Sequence, residues 1–280
     1  MGSTIADYNG DGHLDIFKTN FSDDTSTLYK NNGDGAFTDA TSAVGLGLYT
    51  QYLGWGTMFL DIDNDGWPDL LLVNGHVYPE VDSQHLGSSY KEPRILFRNN
   101  GDSTFSDISS SGGSAITTAA SSRGLAVGDL WNDGRMSAVI NNMNAIPSLL
   151  VNQISSPNHW VAIRTIGTKS NRDGIGSRIR VKTPQRTLVD EVRSGSSYIS
   201  NSDMLEAKRS GTGDCWIDFS PSFSLRTKVV NVELNGKRLD FKMLPNRNDQ
   251  HVAVRFAAAE KTSTLIIHMG LGRNFLLLRA

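Results

Sequence analysis

Two short segments of the chain carry acidic or amide side chains at alternating positions. Loop 1 runs from Asp7 to Asp15 and loop 2 from Asp61 to Asp69, and each has glycine at its sixth position. Alternating oxygen donors around a sharp glycine turn suit calcium, a hard cation that takes about 6–8 oxygen ligands. The sequence therefore predicts two calcium sites. The expected ligands are, in loop 1, Asp7, Asn9, Asp11, the His13 carbonyl and Asp15, and, in loop 2, Asp61, Asp63, Asp65, the Trp67 carbonyl and Asp69.

Other interpretations of these loops are weaker. An EF-hand would need glutamate at the twelfth position between two helices, but Lys18 and Leu72 stand there and the flanks resemble strands. Ordinary metal-free turns remain an alternative, although three or four converging carboxylates would then repel one another at neutral pH. No catalytic base repeats with the loops, so we expect the calcium to be structural.

A third segment, loop 3, runs from Asp129 to Ser137 and has lost part of the pattern. Trp131 and Ser137 replace two oxygen donors, which leaves Asp129 and Asp133 as weak metal ligands. We expect loop 3 to keep its fold without binding calcium tightly. Trp131 is then expected to pack where a ligand once pointed.

The loops belong to a longer repeat. Each is followed by a strand-like apolar run that ends in asparagine, at 16–20, 70–74 and 138–141, and similar hairpins with an Asn-Gly turn follow at 28–37 and 96–105. Four short strands in about 40–60 residues are typical of a β-propeller blade. The repeat resembles the FG-GAP/VCBS family of calcium-binding propeller repeats. The resemblance implies a partial β-propeller over residues 1–153, with two intact repeats and one degenerate repeat.

The second half of the chain has a different pattern. The segments 158–164, 167–181 and 191–200 are similar in order and spacing to the ASPIC/UnbV module, which follows FG-GAP/VCBS repeats in cartilage acidic proteins and in many bacterial secreted proteins. We assign this module to residues 157–208. The likeness ends at Met204–Arg209, where the family usually has Leu-x-Phe-Gly-Leu-Gly. Residues 209–280 alternate like strands and predict a β-rich module of unknown family. The overall prediction is an all-β chain, a partial propeller followed by small β-sandwich-like modules.

One strand of the second half carries a basic row. Arg178, Arg180 and Lys182 alternate with apolar residues and should share one strand face. The row predicts either a surface for anions or polysaccharide, or a solvated strand face paired with acidic residues. Nucleic-acid binding is not expected, because a broad basic surface with stacking aromatic residues is missing.

Charge and composition limit the classes of protein to which this chain can belong. Residues 1–150 hold 18 acidic and 7 basic residues, a net charge of −11, whereas residues 151–280 hold 11 and 20, a net charge of +9. The single Cys215 excludes a disulfide framework, and no apolar run is long enough for a membrane span. No catalytic motif is present, so we do not expect an enzyme. An insertion at 75–94, with His76 and His85, is either a ligand-binding loop or a plain insertion.

These observations favour a calcium-stabilised extracellular binding or adhesion module that recognises a protein or polysaccharide. The alternatives are a polysaccharide-binding accessory region of a secreted carbohydrate-active protein and, less favoured, a metal-assisted hydrolase. The chain shows no signal peptide, and two repeats plus a degenerate one would not close a propeller of about 4–8 blades. We therefore expect a fragment of a secreted, cell-surface or periplasmic parent with further upstream blades, or self-association that covers the sheet edges.

Overall fold

The fold is known from a computed structural model, which describes residues 1–84, 87–131, 133–158, 160–167, 171–183, 186–202, 214–220, 227–234, 237–239, 241–244, 251–257 and 262–271. These residues form β-strands with a few short helical turns, so the predicted all-β class is confirmed. No helix within these ranges has the length and apolar character needed to cross a membrane. The chain forms two compact units, one with most of residues 1–155 together with 195–203, the other with most of the remainder.

Three antiparallel sheets make up most of the first unit. Sheet 1 and sheet 2 each have four strands that pair in chain order, as expected of consecutive propeller blades. Sheet 3 has three described strands. The strands are, in sheet 1, β1 (Ser3–Ala6), β2 (Asp15–Lys18), β3 (Thr27–Asn31) and β4 (Phe37–Asp39); in sheet 2, β5 (Gly54–Leu60), β6 (Asp69–Asn74), β7 (Ile95–Asn99) and β8 (Phe105–Asp107); and in sheet 3, β9 (Ser122–Gly128), β10 (Ser137–Asn142) and β11 (Ser148–Leu150).

Each acidic loop joins the first two strands of its sheet. This placement follows from the repeat, because the apolar run after each loop pairs antiparallel with the strand before it. The glycine at the sixth loop position has a positive φ in all three loops, +88° at Gly12, +86° at Gly66 and +78° at Gly134. Glycine adopts this left-handed backbone without the steric cost that a Cβ would add. The sharp turn inferred from the sequence is therefore present in each loop.

The sheets of the first unit bury matching rows of side chains against one another. In sheet 1, Thr4, Phe17 and Leu28 lie opposite one another across β1, β2 and β3. Phe17 and Leu28 pack against the facing row of sheet 2 and are fully buried. That facing row consists of Phe59, Leu70 and Phe97.

The second junction repeats this arrangement one sheet further along. Met58, Leu71 and Leu96 occupy the positions in sheet 2 that Thr4, Phe17 and Leu28 occupy in sheet 1. They pack against Val127 and Ala138 of sheet 3. Sheet 2 carries apolar side chains on both of its faces, because successive residues of a strand point to opposite sides. Both faces are therefore buried, one against sheet 1 and the other against sheet 3.

The far face of sheet 3 carries the equivalent row of side chains, and no described sheet of the first unit packs against it. Ala126, Val139 and Leu149 are paired across β9, β10 and β11 at the positions equivalent to Thr4, Phe17 and Leu28. Val139 is 44 % exposed and Leu149 is 53 % exposed, whereas Phe17 and Leu28 are 0 % exposed. Sheet 3 therefore ends the described stack on an apolar surface, here called the end face.

The second unit contains two further sheets. One pairs β12 (Trp160–Gly167) in parallel with β20 (Thr262–Leu271), and β20 also pairs with β16 (Thr227–Leu234). Its last strand is β17 (Lys237–Arg238). The other sheet has the order β14-β13-β15-β19-β18, with the bounds Thr187–Glu191, Arg178–Lys182, Asp214–Ser220, His251–Ala257 and Phe241–Leu244.

The insertion between β6 and β7 contains one short helix, α1 (Val81–Gln84). A 3-10 helix (Ser109–Gly112) and α2 (Ser114–Thr117) follow sheet 2. Glu92 holds the end of the insertion, since its fully buried carboxylate accepts hydrogen bonds from the Leu53 amide at 3.0 Å and the Ser88 hydroxyl at 2.7 Å. Burial raises the pKa of Glu92 to about 7, against the opposing effects of these hydrogen bonds and of Arg123.

Replacing Glu92 by glutamine should remove part of the pH dependence of stability. Because the folded pKa lies above the unfolded value of about 4.5, Glu92 stabilises the fold at low pH and loses that contribution as pH rises through about 7. The amide can donate to Ser88 and still accept from Leu53. We expect the decline in unfolding free energy between pH 5 and about 8 to be smaller in Glu92→Gln, as measured by urea unfolding without divalent cations. The exposed Glu80→Gln is the control, and identical pH profiles for both variants would contradict the prediction.

Candidate metal centre

Loop 2 brings three of its predicted ligands together. Carboxylate oxygens of Asp61, Asp63 and Asp65 lie within 4.8 Å of one another, and all three residues are half-buried. The alternating spacing places them on the inner side of a loop that turns at Gly66. This arrangement offers several hard oxygen donors to one cation. Among the residues that the structure describes, these three form the cluster suited to a metal ion.

The fourth predicted side-chain ligand of loop 2 has a different position. Asp69 is 1 % exposed, and its two oxygens accept hydrogen bonds from the backbone amides of Ile62, at 3.0 Å, and Asn99, at 2.8 Å. Burial raises the pKa of Asp69 to about 8, and the negative charges of Asp61 and Asp63 add to the rise. Asp69 thus ties the start of loop 2 to the end of β7.

Loop 1 repeats this construction. Asp15 is buried and accepts from the backbone amides of Tyr8 at 3.3 Å and Asn31 at 2.7 Å, and burial raises its pKa to about 7. Asp7 accepts from the amides of Asp11 and Gly12, at 3.1 and 2.9 Å. The Asp11 amide also donates to the Asn9 side-chain oxygen at 3.0 Å, and Asp11 accepts from the His13 amide at 2.9 Å. The predicted ligands of loop 1 therefore surround a turn that is stabilised by their own hydrogen bonds.

Basic side chains lie beside the acidic loops. The Arg98 guanidinium contacts Asp63 at 2.8 Å, and Lys30, at the equivalent place in sheet 1, lies 3.8 Å from Asp11. Both cations are largely exposed, so each pair is weakened by water and salt. A divalent ion that binds the loop would compete with them for the same carboxylates.

Two asparagines that the sequence analysis did not single out connect neighbouring sheets. Asn99, at the end of β7, is 1 % exposed and donates from its side chain to the Tyr8 carbonyl of loop 1 at 2.9 Å. Asn152 makes the equivalent bond to the Ile62 carbonyl of loop 2 at 2.7 Å. Loops 1 and 2 are therefore each held by an asparagine from the following repeat of the chain. The asparagine that recurs after the third strand of each repeat was the available sequence signal.

Loop 3 contains a positively charged side chain of its own, Arg135. The Arg135 side chain forms an ion pair with Asp133, with a hydrogen bond from Nε of 2.9 Å, and Asp129 accepts from the amides of Asp133 and Gly134. The expectation that Trp131 packs in place of a ligand is wrong, because Trp131 is 52 % exposed.

Family models match two parts of the chain. An FG-GAP-like repeat covers residues 7–72, which include loops 1 and 2, and an ASPIC and UnbV module covers residues 167–205. The chain carries an FG-GAP-like repeat and an ASPIC/UnbV module. The resemblance inferred from the sequence is therefore confirmed for both modules. No curated protein matches the chain.

Two solved structures of adhesins are weakly similar to this chain. One is the open conformation of the pilus adhesin SpaC from Lactobacillus rhamnosus GG, with 9 % identity and a TM-score of 0.20 over 73 % of this chain and 25 % of that chain. The other is a Mobiluncus mulieris adhesin with intramolecular cross-links, with 10 % identity and a TM-score of 0.23 over 97 % of this chain and all of that chain. The chain thus spans a quarter of the length of SpaC. Similarities this low carry no argument about function.

The predicted basic row lies within the ASPIC/UnbV module. Arg178, Arg180 and Lys182 alternate along β13 with the buried Ile179 and Val181, so they share one face of the strand. Arg178 lies opposite Glu191 in the neighbouring strand β14. This acidic neighbour favours the solvated, paired strand face over a dedicated anion site.

Proposed function

We propose that this chain is a calcium-stabilised extracellular binding module without catalytic activity of its own. The observation that carries the proposal is the convergence of Asp61, Asp63 and Asp65 within 4.8 Å in loop 2. Three carboxylates this close repel one another, so a divalent cation between them lowers the free energy of the folded chain. Loop 1 supplies a second site from Asp7, Asn9 and Asp11.

Calcium at these loops would act on the packing of the sheets. Asp69 fixes loop 2 to β7, and Asn99 at the end of β7 holds loop 1. A cation that orders loop 2 therefore also orders the contact between sheets 1 and 2. This is a structural role, in which calcium stiffens a scaffold and leaves recognition to exposed surfaces.

The partners in this proposal are an extracellular protein and the surfaces that complete the stack of sheets. The end face of sheet 3 carries the same apolar row that sheets 1 and 2 bury, so it suits either a further blade or a second copy of the chain. A polysaccharide ligand is less favoured, because the basic row on β13 has an acidic neighbour.

Titration calorimetry with calcium on chelator-stripped protein tests the proposal. We expect about two sites per chain, from loops 1 and 2, because loop 3 offers only two acidic side chains, Asp129 and Asp133, one of which is paired with Arg135. Magnesium is the control, and it should bind more weakly because it demands a tighter octahedral shell. Three sites would contradict the assignment of loop 3. No calcium binding by protein with native circular dichroism would contradict the proposed function.

A further inference from the structure

Residues 195–202 belong to the first compact unit, whereas the ASPIC/UnbV strands that precede them belong to the second. This segment hydrogen-bonds to the first strand of all three sheets of the first unit, and the Ser202 hydroxyl also contacts the Met58 sulfur in β5 at 3.8 Å. The Ser197 amide donates to the Ser3 carbonyl in β1 at 2.9 Å, and the Thr57 amide in β5 donates to the Ser197 hydroxyl at 3.0 Å. The Val127 amide in β9 donates to the Ser202 hydroxyl at 3.1 Å. We call the surface formed by β1, β5 and β9 the first-strand surface.

Aromatic packing reinforces these hydrogen bonds. The Tyr198 ring lies 4.7 Å from the Trp55 ring, and the Arg123 guanidinium lies 4.5 Å from the same Trp55 ring. Arg123 is itself fixed by backbone carbonyls, which include those of Gly75 and His76, at 3.1 and 3.0 Å. Tyr198 therefore packs against the Trp55 ring, whose other contact is the fixed Arg123 side chain.

The first-strand surface is shaped to admit this backbone. A Cβ on Gly2 would lie 3.1 Å from the Tyr198 amide nitrogen, and a Cβ on Gly124 would lie 2.8 Å from the Ser200 hydroxyl. Neither contact leaves room for a larger residue. Glycine at these two places therefore allows the close approach of the segment to β1 and β9.

The backbone of the segment is held in a strained conformation. Ser197 has a φ of +64° and Ile199 a φ of +43°, and this left-handed region is unfavourable for a β-branched residue. The Ile199 side chain is 87 % exposed, so burial of that side chain does not offset the strain. Such conformations persist when surrounding contacts determine them, and here those contacts come from the three first strands.

The segment covers the surface without entering the core between the sheets. Tyr198 and Asn201 border a cavity of about 600 Å³ together with Arg123, Val139 and Met143.

We propose that the first-strand surface is a peptide-binding site, which the chain fills with its own residues 195–202 as a tethered ligand. The recognised chemistry is a serine-rich peptide with one tyrosine that turns at Ser197 and Ile199, bound through two serine hydroxyls, one backbone amide and the Trp55 ring. The covalent connection supplies a high effective concentration, so modest contacts suffice for occupancy. The end of the ASPIC/UnbV module then serves to hold the three sheets together, a role that does not depend on calcium.

The test weakens the tethered ligand and restores it with a free peptide. The double variant Ser197→Ala/Tyr198→Ala of the full chain should melt about 4–8 °C below the wild type. A synthetic peptide of residues 193–202 should restore most of that loss, whereas a scrambled peptide of the same composition should not. Tyr78→Ala, which removes an exposed tyrosine, is the matched control and should leave the melting temperature unchanged. Unchanged melting of the double variant, or a loss that the peptide does not restore, would overturn the proposal.

Hydrogen exchange of single backbone amides tests the proposal without requiring the double variant to fold. In Ser202→Ala, the Val127 amide should exchange at least about tenfold faster while the Thr57 amide keeps its rate, because each is bonded to a different serine. Equal exchange at Val127 in variant and wild type would overturn the proposal. Both experiments are run with chelator and again with calcium, so that failure of calcium binding and failure of the peptide site give different results.

Discussion

Replacing Asp61 and Asp65 together by alanine is expected to abolish the stabilisation that calcium gives through loop 2. The two side chains supply oxygens on either side of Asp63 in the carboxylate cluster, so the variant keeps one of its three acidic ligands. A site filled at 100 times its dissociation constant stabilises a fold by about 2.7 kcal/mol. We expect the rise in melting temperature with calcium to fall by about half, since loop 1 remains, and calorimetry to show one site fewer.

The control is Asp102→Ala, in the exposed Asn-Gly hairpin of the same sheet, which should leave the calcium response unchanged. A calcium-dependent melting shift as large in the double variant as in the wild type would show that loop 2 is a metal-free turn.

Replacing Asn99 by alanine should cause the largest loss of stability among the polar substitutions. The side chain donates to the carbonyls of Tyr8 and Pro68, at 2.9 and 3.2 Å, and accepts from the Gly101 amide at 2.9 Å. Alanine leaves these buried backbone groups without their partners. We expect a loss of about 2–4 kcal/mol in the free energy of unfolding, measured by urea denaturation in chelator.

The neighbouring Asn100 provides a matched control. It is an exposed asparagine in the same turn, and its side chain donates to the Thr104 hydroxyl and accepts from the Ser106 hydroxyl. Asn100→Ala should lose less than about 1 kcal/mol. Equal losses for the two variants would mean that the bond from Asn99 to loop 1 does not contribute to the packing of sheets 1 and 2.

The repeated pattern of the sequence was sufficient to predict the all-β class and the positions of the acidic loops. Period-two apolar runs specify strands, and a glycine at a fixed place among acidic residues specifies the left-handed turn seen at Gly12 and Gly66. The convergence of Asp61, Asp63 and Asp65 also follows from their spacing. These features are local, so a single segment contains all the information they need.

Features that join distant segments were not predictable in this way. The spacing predicts a fourth ligand at the ninth loop position, but it does not show that Asp69 also bonds the amide of Asn99, 30 residues later in the chain. Only the pairing of β6 with β7 brings these residues together. Similarly, the tryptophan at a ligand position of loop 3 suggested an internal indole, whereas Trp131 is 52 % exposed.

The order in which the first compact unit is completed has a consequence for synthesis on the ribosome. Its sheets are encoded by residue 155, but the serines that bond Thr57 and Val127 are Ser197 and Ser202. At about 5–20 residues per second, the ribosome adds the intervening residues in roughly 2–10 seconds. During that interval the nascent sheets expose the first-strand surface, and a chaperone or a neighbouring nascent chain has its best opportunity to bind them.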